Sequence, residues 1–151
     1  MATVLSLETN DVSKSLIIKD IQVSISDIKV KNPYNTIAKI EVISGCFCGK
    51  CMVDFDFCAF KKFSENLKEM SHFSKRTASL KSVTGDSLIT FTLDAHGNLS
   101  VEGKLMDYSS HQSLNFSFQT DQTALESISK SLVKSIEMVN ALEEGLGFVL
   151  I

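Results

Sequence analysis

One proline and seven glycines in 151 residues leave little room for disorder or long flexible linkers. A large excess of one charge sign is also lacking. The net charge is −3, with acids and bases interspersed, which argues against the clustered basic face of a nucleic-acid binder. A weak acidic excess suits a basic partner. No apolar run approaches the ~18 residues that a membrane span needs. The opening stretch MATVLSLETNDVSKS has neither a basic n-region nor a long apolar core, so no secretory signal is read there. The cytoplasm is the expected compartment, where cysteines stay thiols.

Catalytic signatures are missing too. There is no phosphate loop, nucleophile elbow or H-E-x-x-H. His72, His96 and His111 all fall in loops, without a fixed carboxylate or cysteine partner. Asp54 and Asp56 stand two apart and could in principle work as a pair, but a solvated edge plus a helix cap is the commoner arrangement. The chain does not read as an enzyme, and no cofactor is expected.

What is present is the balance of a globular protein, 44% hydrophobic and 22% charged. Its length suits a single domain over 1–151. Residues 1–13 read as a loose N-terminal segment. Leu16 to Ile25 is rich in β-branched residues with alternating Ile21, Val23 and Ile25, hence a strand. Ile37 to Cys48 and Cys51 to Phe55 read as a hairpin around Gly49-Lys50. Phe60, Phe63, Leu67 and Met70 then recur at helical spacing after Asp56, a suitable N-cap.

Strands return with Ala78 and Leu80, then Ile89, Phe91 and Leu93, then Leu99, Val101 and Leu105, then Leu114, Phe116 and Phe118. Polar residues fill the positions between, so one face is wet and the strands antiparallel. A last helix carries Leu125, Ile128, Leu132, Ile136 and Val139, with Thr123 and Glu126 as a capping box. The expected fold class is α+β, with a single antiparallel sheet of about six to seven strands and two helices packed on one face. The apolar tail GLGFVLI, residues 145–151, is expected to dock as a short strand.

The stretch GCFCGKC holds three of the chain's four cysteines. With a turn at Gly49-Lys50, Cys46, Cys48 and Cys51 share a face with Val42, Val53 and Phe55, and read as small buried hydrophobes. Cys58 falls in the first turn of a helix, where the dipole can lower a thiol pKa. The alternative is a zinc or thiol-redox module of Cys46, Cys48, Cys51 and Cys58, although one knuckle-like pair without a nearby histidine is a poor zinc signature. The opposite face of the same hairpin carries Glu41, Ile43, Phe47, Met52, Asp54 and Asp56. Phe47 and Met52 would be cross-strand neighbours rimmed by acid, a binding patch for a basic protein unless other elements cover it.

The order of motifs resembles the WapI-like immunity proteins of bacterial polymorphic toxin systems, over roughly Ile40 to Leu132. The elements are Phe47-Cys48-Gly49 in the hairpin, Asp54-Phe55-Asp56 leading into a helix with Phe63 and Leu67, and Ala78-Ser79-Leu80. Gly97-Asn98-Leu99 and Phe116-Ser117-Phe118-Gln119-Thr120-Asp121-Gln122-Thr123-Ala124-Leu125 follow. The resemblance implies a small cytoplasmic protein that binds and blocks a cognate protein toxin. Asp121 and Thr123 also suit a helix start, so this segment can mark the fold rather than a site.

Overall fold

The computed structural model describes residues 3–8, 13–142 and 148–150. Strands β1 (Thr3–Glu8) and β2 (Lys14–Ser24) are followed by a single helical turn α1 (Ile25–Lys29), strands β3 (Thr36–Ser44) and β4 (Phe47–Phe55), and helix α2 (Phe57–Ser71). Strands β5 (Thr77–Lys81), β6 (Leu88–Leu93), β7 (Asn98–Asp107) and β8 (Gln112–Asp121) come next. A 3-10 turn (Gln122–Ala124), helix α3 (Leu125–Leu142) and a short strand β9 (Phe148–Leu150) close the chain. The sequence has no internal repeat, yet a four-strand meander followed by a helix occurs twice.

The fold is α+β, but the expected single sheet is two antiparallel sheets, ordered β1-β2-β3-β4 and β5-β6-β7-β8. The physical reason is α2. A 15-residue helix between β4 and β5 lets the two meanders part, and each then offers an apolar face to the other. Leu16, Ile18, Ile40 and Val42 from the first sheet and Leu80, Phe91, Val101 and Phe118 from the second are buried in one core. Both helices contribute to it, α2 through Phe60, Phe63, Leu67 and Met70 and α3 through Leu125, Ile128, Leu132 and Val139. Phe63 meets Phe91 edge-on at 5.6 Å between ring centroids.

The helices do not share one sheet face as expected. They pack on each other, α2 beside β5 and α3 beside β1. Each therefore lies against the first strand of the other half. The sheets touch through β4 with β7 and β3 with β8, so the contacts between the two halves are reciprocal.

Two further expectations change at the chain's start and at α3. Residues 3–8 are not loose: β1 pairs antiparallel with β2, and Leu5 and Leu7 are buried. Two alternating leucines suffice once β2 supplies an edge to complete. In place of a Thr123–Glu126 box, the chain enters α3 through a 3-10 turn capped by Asp121, which accepts from the Thr123 amide at 2.8 Å. Of the tail, Phe148, Val149 and Leu150 pair as a strand opposite Ser24, Val23 and Gln22, and residues 145–147 and 151 lie outside the described residues.

Candidate functional site

The β3–β4 hairpin turns at Gly45-Cys46, four residues earlier than the sequence suggests. Its register runs from Ser44 opposite Phe47 to Thr36 opposite Phe55. Gly45 has φ +67°, the left-handed conformation that a tight turn favours in glycine. The shift corrects the reading of the cysteines. Cys46 lies in the turn and Cys48 on the outer face, both exposed, and Cys58 is exposed on α2. Only Cys51 points inward. It is half-buried, and burial pushes its thiol pKa up, with the charge of Asp107 adding to the effect. Pleating sends Cys48 and Cys51 to opposite faces. Among the described residues no three His, Cys, Asp or Glu side chains gather where they could hold a metal.

The six residues expected to form one acid-rimmed patch are dispersed. Glu41, Ile43, Met52 and Asp54 do share the outer face, but Met52 stands opposite Lys39 and Phe47 opposite Ser44. Phe47 therefore belongs to the other face, at the hairpin tip, where it is 66% exposed. Glu41 is paired with Lys19 at 3.0 Å and lies 3.8 Å from Lys39, with Lys50 opposite it. The Lys19 ammonium, donating to Glu41, holds this carboxyl below its ordinary value. Asp56 caps α2, accepting from the Cys58 amide at 3.1 Å and from the Asn35 side chain at 3.2 Å. The outer face is thus a mixed, partly ion-paired surface rather than an acidic one.

At the other end of the hairpin, sequence reasoning missed a convergence of three loops. The Asp54 carbonyl accepts from the Val83 amide at 3.0 Å, fixing the 82–87 loop to β4. That loop is braced internally, since Ser87 donates its amide to the Ser82 hydroxyl and the Ser87 hydroxyl accepts from Met106, each at 3.0 Å. It presents Thr84 and Asp86 to Tyr108. The single phenolic proton of Tyr108 goes to the Asp86 carboxylate, and Thr84 can then donate to the phenol oxygen across 2.7 Å. The bond to Asp86 raises the Tyr108 pKa, with smaller like-charge contributions from Asp86 and Tyr34.

Tyr34 is 52% and Tyr108 53% exposed. Tyr34, Asn35, Ile37 and Asp54, with Gln22, Ser24 and Thr36, line a shallow hollow of about 200 Å³ that Tyr108 and Asp86 do not reach. Asn35 is buried and satisfied: its side-chain oxygen accepts from the Phe57 amide at 2.7 Å, while its nitrogen donates to the Asn32 carbonyl at 2.9 Å. Positions 34, 54, 86 and 108 share no spacing, so no local pattern could have joined them.

A groove of about 340 Å³ between α2 and α3 is lined by Lys68, His72, Glu126, Ser129, Lys130 and Val133, among others. Its charges are partly spent on each other, as in the Glu126–Lys130 pair at 2.9 Å.

Two of the sequence motifs, Gly97-Asn98 and Asp121-Gln122-Thr123, meet at the edge of the second sheet. Asn98 pairs with Asp121 in register, and the Gln122 amide donates to the Gly97 carbonyl at 3.2 Å. A side chain at Gly97 would lie 2.7 Å from the Gln122 side-chain oxygen. Gly97-Asn98 and Asp121-Gln122-Thr123 are therefore one structural joint, seating a hairpin turn on the start of α3.

No family model and no curated protein matches the chain. Among solved structures it is similar to one described as MRP1/MRP2 of Trypanosoma bruciei, with a TM-score of 0.52 and 9% identity over 93% of this chain and 86% of that one. At that identity the likeness shows a shared fold. No helix among the described residues is long and apolar enough to cross a membrane.

Proposed function

We propose that this chain is a non-enzymatic, immunity-type binding protein of the cytoplasm that neutralises a cognate protein toxin by occluding it. The observation that carries the reading is Phe47. A phenyl ring 66% exposed at the tip of a paired hairpin is an unsatisfied apolar anchor, and Ile43 and Met52 on the same hairpin are 40% and 51% exposed. Aromatic anchors of this kind dominate binding energy at protein interfaces. The order of motifs over Ile40 to Leu132 agrees with the reading.

Co-expression with the toxin domain encoded beside its gene tests it. Growth should be restored, and the two proteins should purify as a complex. Phe47→Ala should weaken that complex by about 2 kcal/mol, roughly thirtyfold, without unfolding the chain, because the ring lies outside the core. Persistent toxicity with both proteins folded and no complex formed would end this reading.

A further inference from the structure

Of the four strands that bound the two sheets, three are shielded. Strand β1 has a register irregularity between Thr3 and Leu5 and lies beside α3. Strand β4 carries Lys50 and Asp54, and its Asp54 carbonyl is taken by the Val83 amide. Strand β5 has five residues, ends on Lys81 and packs against α2. Strand β8 carries neither charge nor irregularity along most of its length. It pairs with β7 over ten residues without a shift, and no residue from Gln112 to Thr120 is charged or a proline. A long edge of that kind offers an open ladder to another strand. We propose that β8 pairs antiparallel with β8 of a second copy of this chain, joining their second sheets into one of eight strands. The proposal stands apart from the toxin-binding reading.

Hydrogen-bond parity shows which groups are open. The Gln122 amide donates to the Gly97 carbonyl, so even-numbered residues of β8 bond to β7 and odd-numbered ones point away from it. Ser44 agrees, since its hydroxyl donates to the Ser117 carbonyl at 3.0 Å from outside the sheet. That carbonyl has a second lone pair and can accept again. The amides of Ser113, Asn115, Ser117 and Gln119 have no partner among the described residues.

The strand is self-complementary about Phe116. In an antiparallel register centred there, odd-numbered residues meet odd-numbered ones, as the open groups require. Asn115 then stands opposite Ser117 of the second copy, and Ser113 opposite Gln119. On the inner side Leu114 meets Phe118, and Phe116 meets its own counterpart. Each pair matches apolar with apolar or uncharged polar with the same. Beyond the strand's uncharged stretch, Asp121 falls opposite His111 of the second copy rather than opposite another acid. Two copies of a chain with net charge −3 can therefore approach here without like charges face to face. The contact is isologous, and it closes at two copies.

Sedimentation equilibrium of the purified chain from ~1 to ~500 µM should show a monomer–dimer equilibrium with Kd on the order of tens of micromolar. Amide exchange followed by NMR gives the readout residue by residue. In dilute protein the amides of Ser113, Asn115, Ser117 and Gln119 should exchange fast and their even-numbered neighbours slowly. As the dimer forms, those four should slow at least about tenfold. Asn115→Pro removes an outward amide without touching the β7 ladder, and should raise Kd at least about tenfold. Should that variant fail to fold, Asn115→Lys combined with Ser117→Lys sets four lysines together across the dimer axis from exposed positions, with the same expected loss. A chain that stays monomeric at ~500 µM, or that dimerises with the four amides still fast, overturns the proposal. So does protection of those amides only in the complex with the toxin domain, which would give this edge to a strand of the toxin.

Discussion

Cys48 and Cys51 are three residues apart on one strand and differ in chemistry. Cys48 is exposed, as are Cys46 and Cys58, while the half-buried Cys51 has a raised pKa from burial and from Asp107. Alkylation with iodoacetamide near neutral pH should therefore modify Cys51 last, because the thiolate is the nucleophile. Asp107→Asn should speed that last step, since it removes a charge opposing the thiolate. Mass spectrometry of partly alkylated protein decides it, and equal rates at all four cysteines would contradict the placement of the strand. The cysteines were misread because of two glycines. Gly45 and Gly49 are both plausible turn residues in the sequence, but only Gly45 has the left-handed φ. Gly49 is needed for space: a side chain there would come within 2.8 Å of Leu114, a residue no local pattern could place beside it.

Among elements, the joint between the Gly97 turn and the start of α3 makes a distinct prediction. Gly97 has φ +84° and its α-carbon faces the Gln122 side chain at close range. Gly97→Ala should cost about 1–3 kcal/mol through backbone strain alone, lowering Tm by about 2–4 °C per kcal/mol. If the Gln122 contact adds to that cost, the same change made in a Gln122→Ala background should cost less. Equal costs in the two backgrounds would show the contact to be slack. Strands β5 to β8 were legible in the sequence because one face is wet and alternation is clean. Helices α2 and α3 were legible from their apolar stripes. Strand β1 was not, since a pair of leucines in a polar stretch acquires meaning only beside β2. The division into two sheets was hidden as well, because alternation reports which face is buried and is silent about what buries it. The Tyr34–Asp54–Asp86–Tyr108 corner was illegible for a related reason: its members come from four separate segments.

Across the whole molecule, the reciprocal contacts of the two halves bring equivalent positions together. Gly49 lies two residues after Phe47, and Leu114 two residues after Gln112, the residues that close their respective hairpins. These counterparts meet where the sheets touch, a glycine from one half accommodating a leucine from the other. Gly49→Ala should destabilise the fold by about 1–3 kcal/mol by overpacking. Combined with Leu114→Ala it should cost markedly less than the sum of the two single changes, as a double-mutant cycle in denaturant would measure. Additive costs would mean that the halves do not press on each other there. The strands β9 and β1 lie end to end along the same edge of β2, with Leu150 opposite Gln22 and Thr3 opposite Lys19. Both run antiparallel to β2, so the one leads towards the other like two lengths of a single interrupted strand. That edge of β2 is therefore covered on both sides of its irregularity, over Ser15 to Lys19 and over Gln22 to Ser24, which leaves little of its backbone open to a foreign strand.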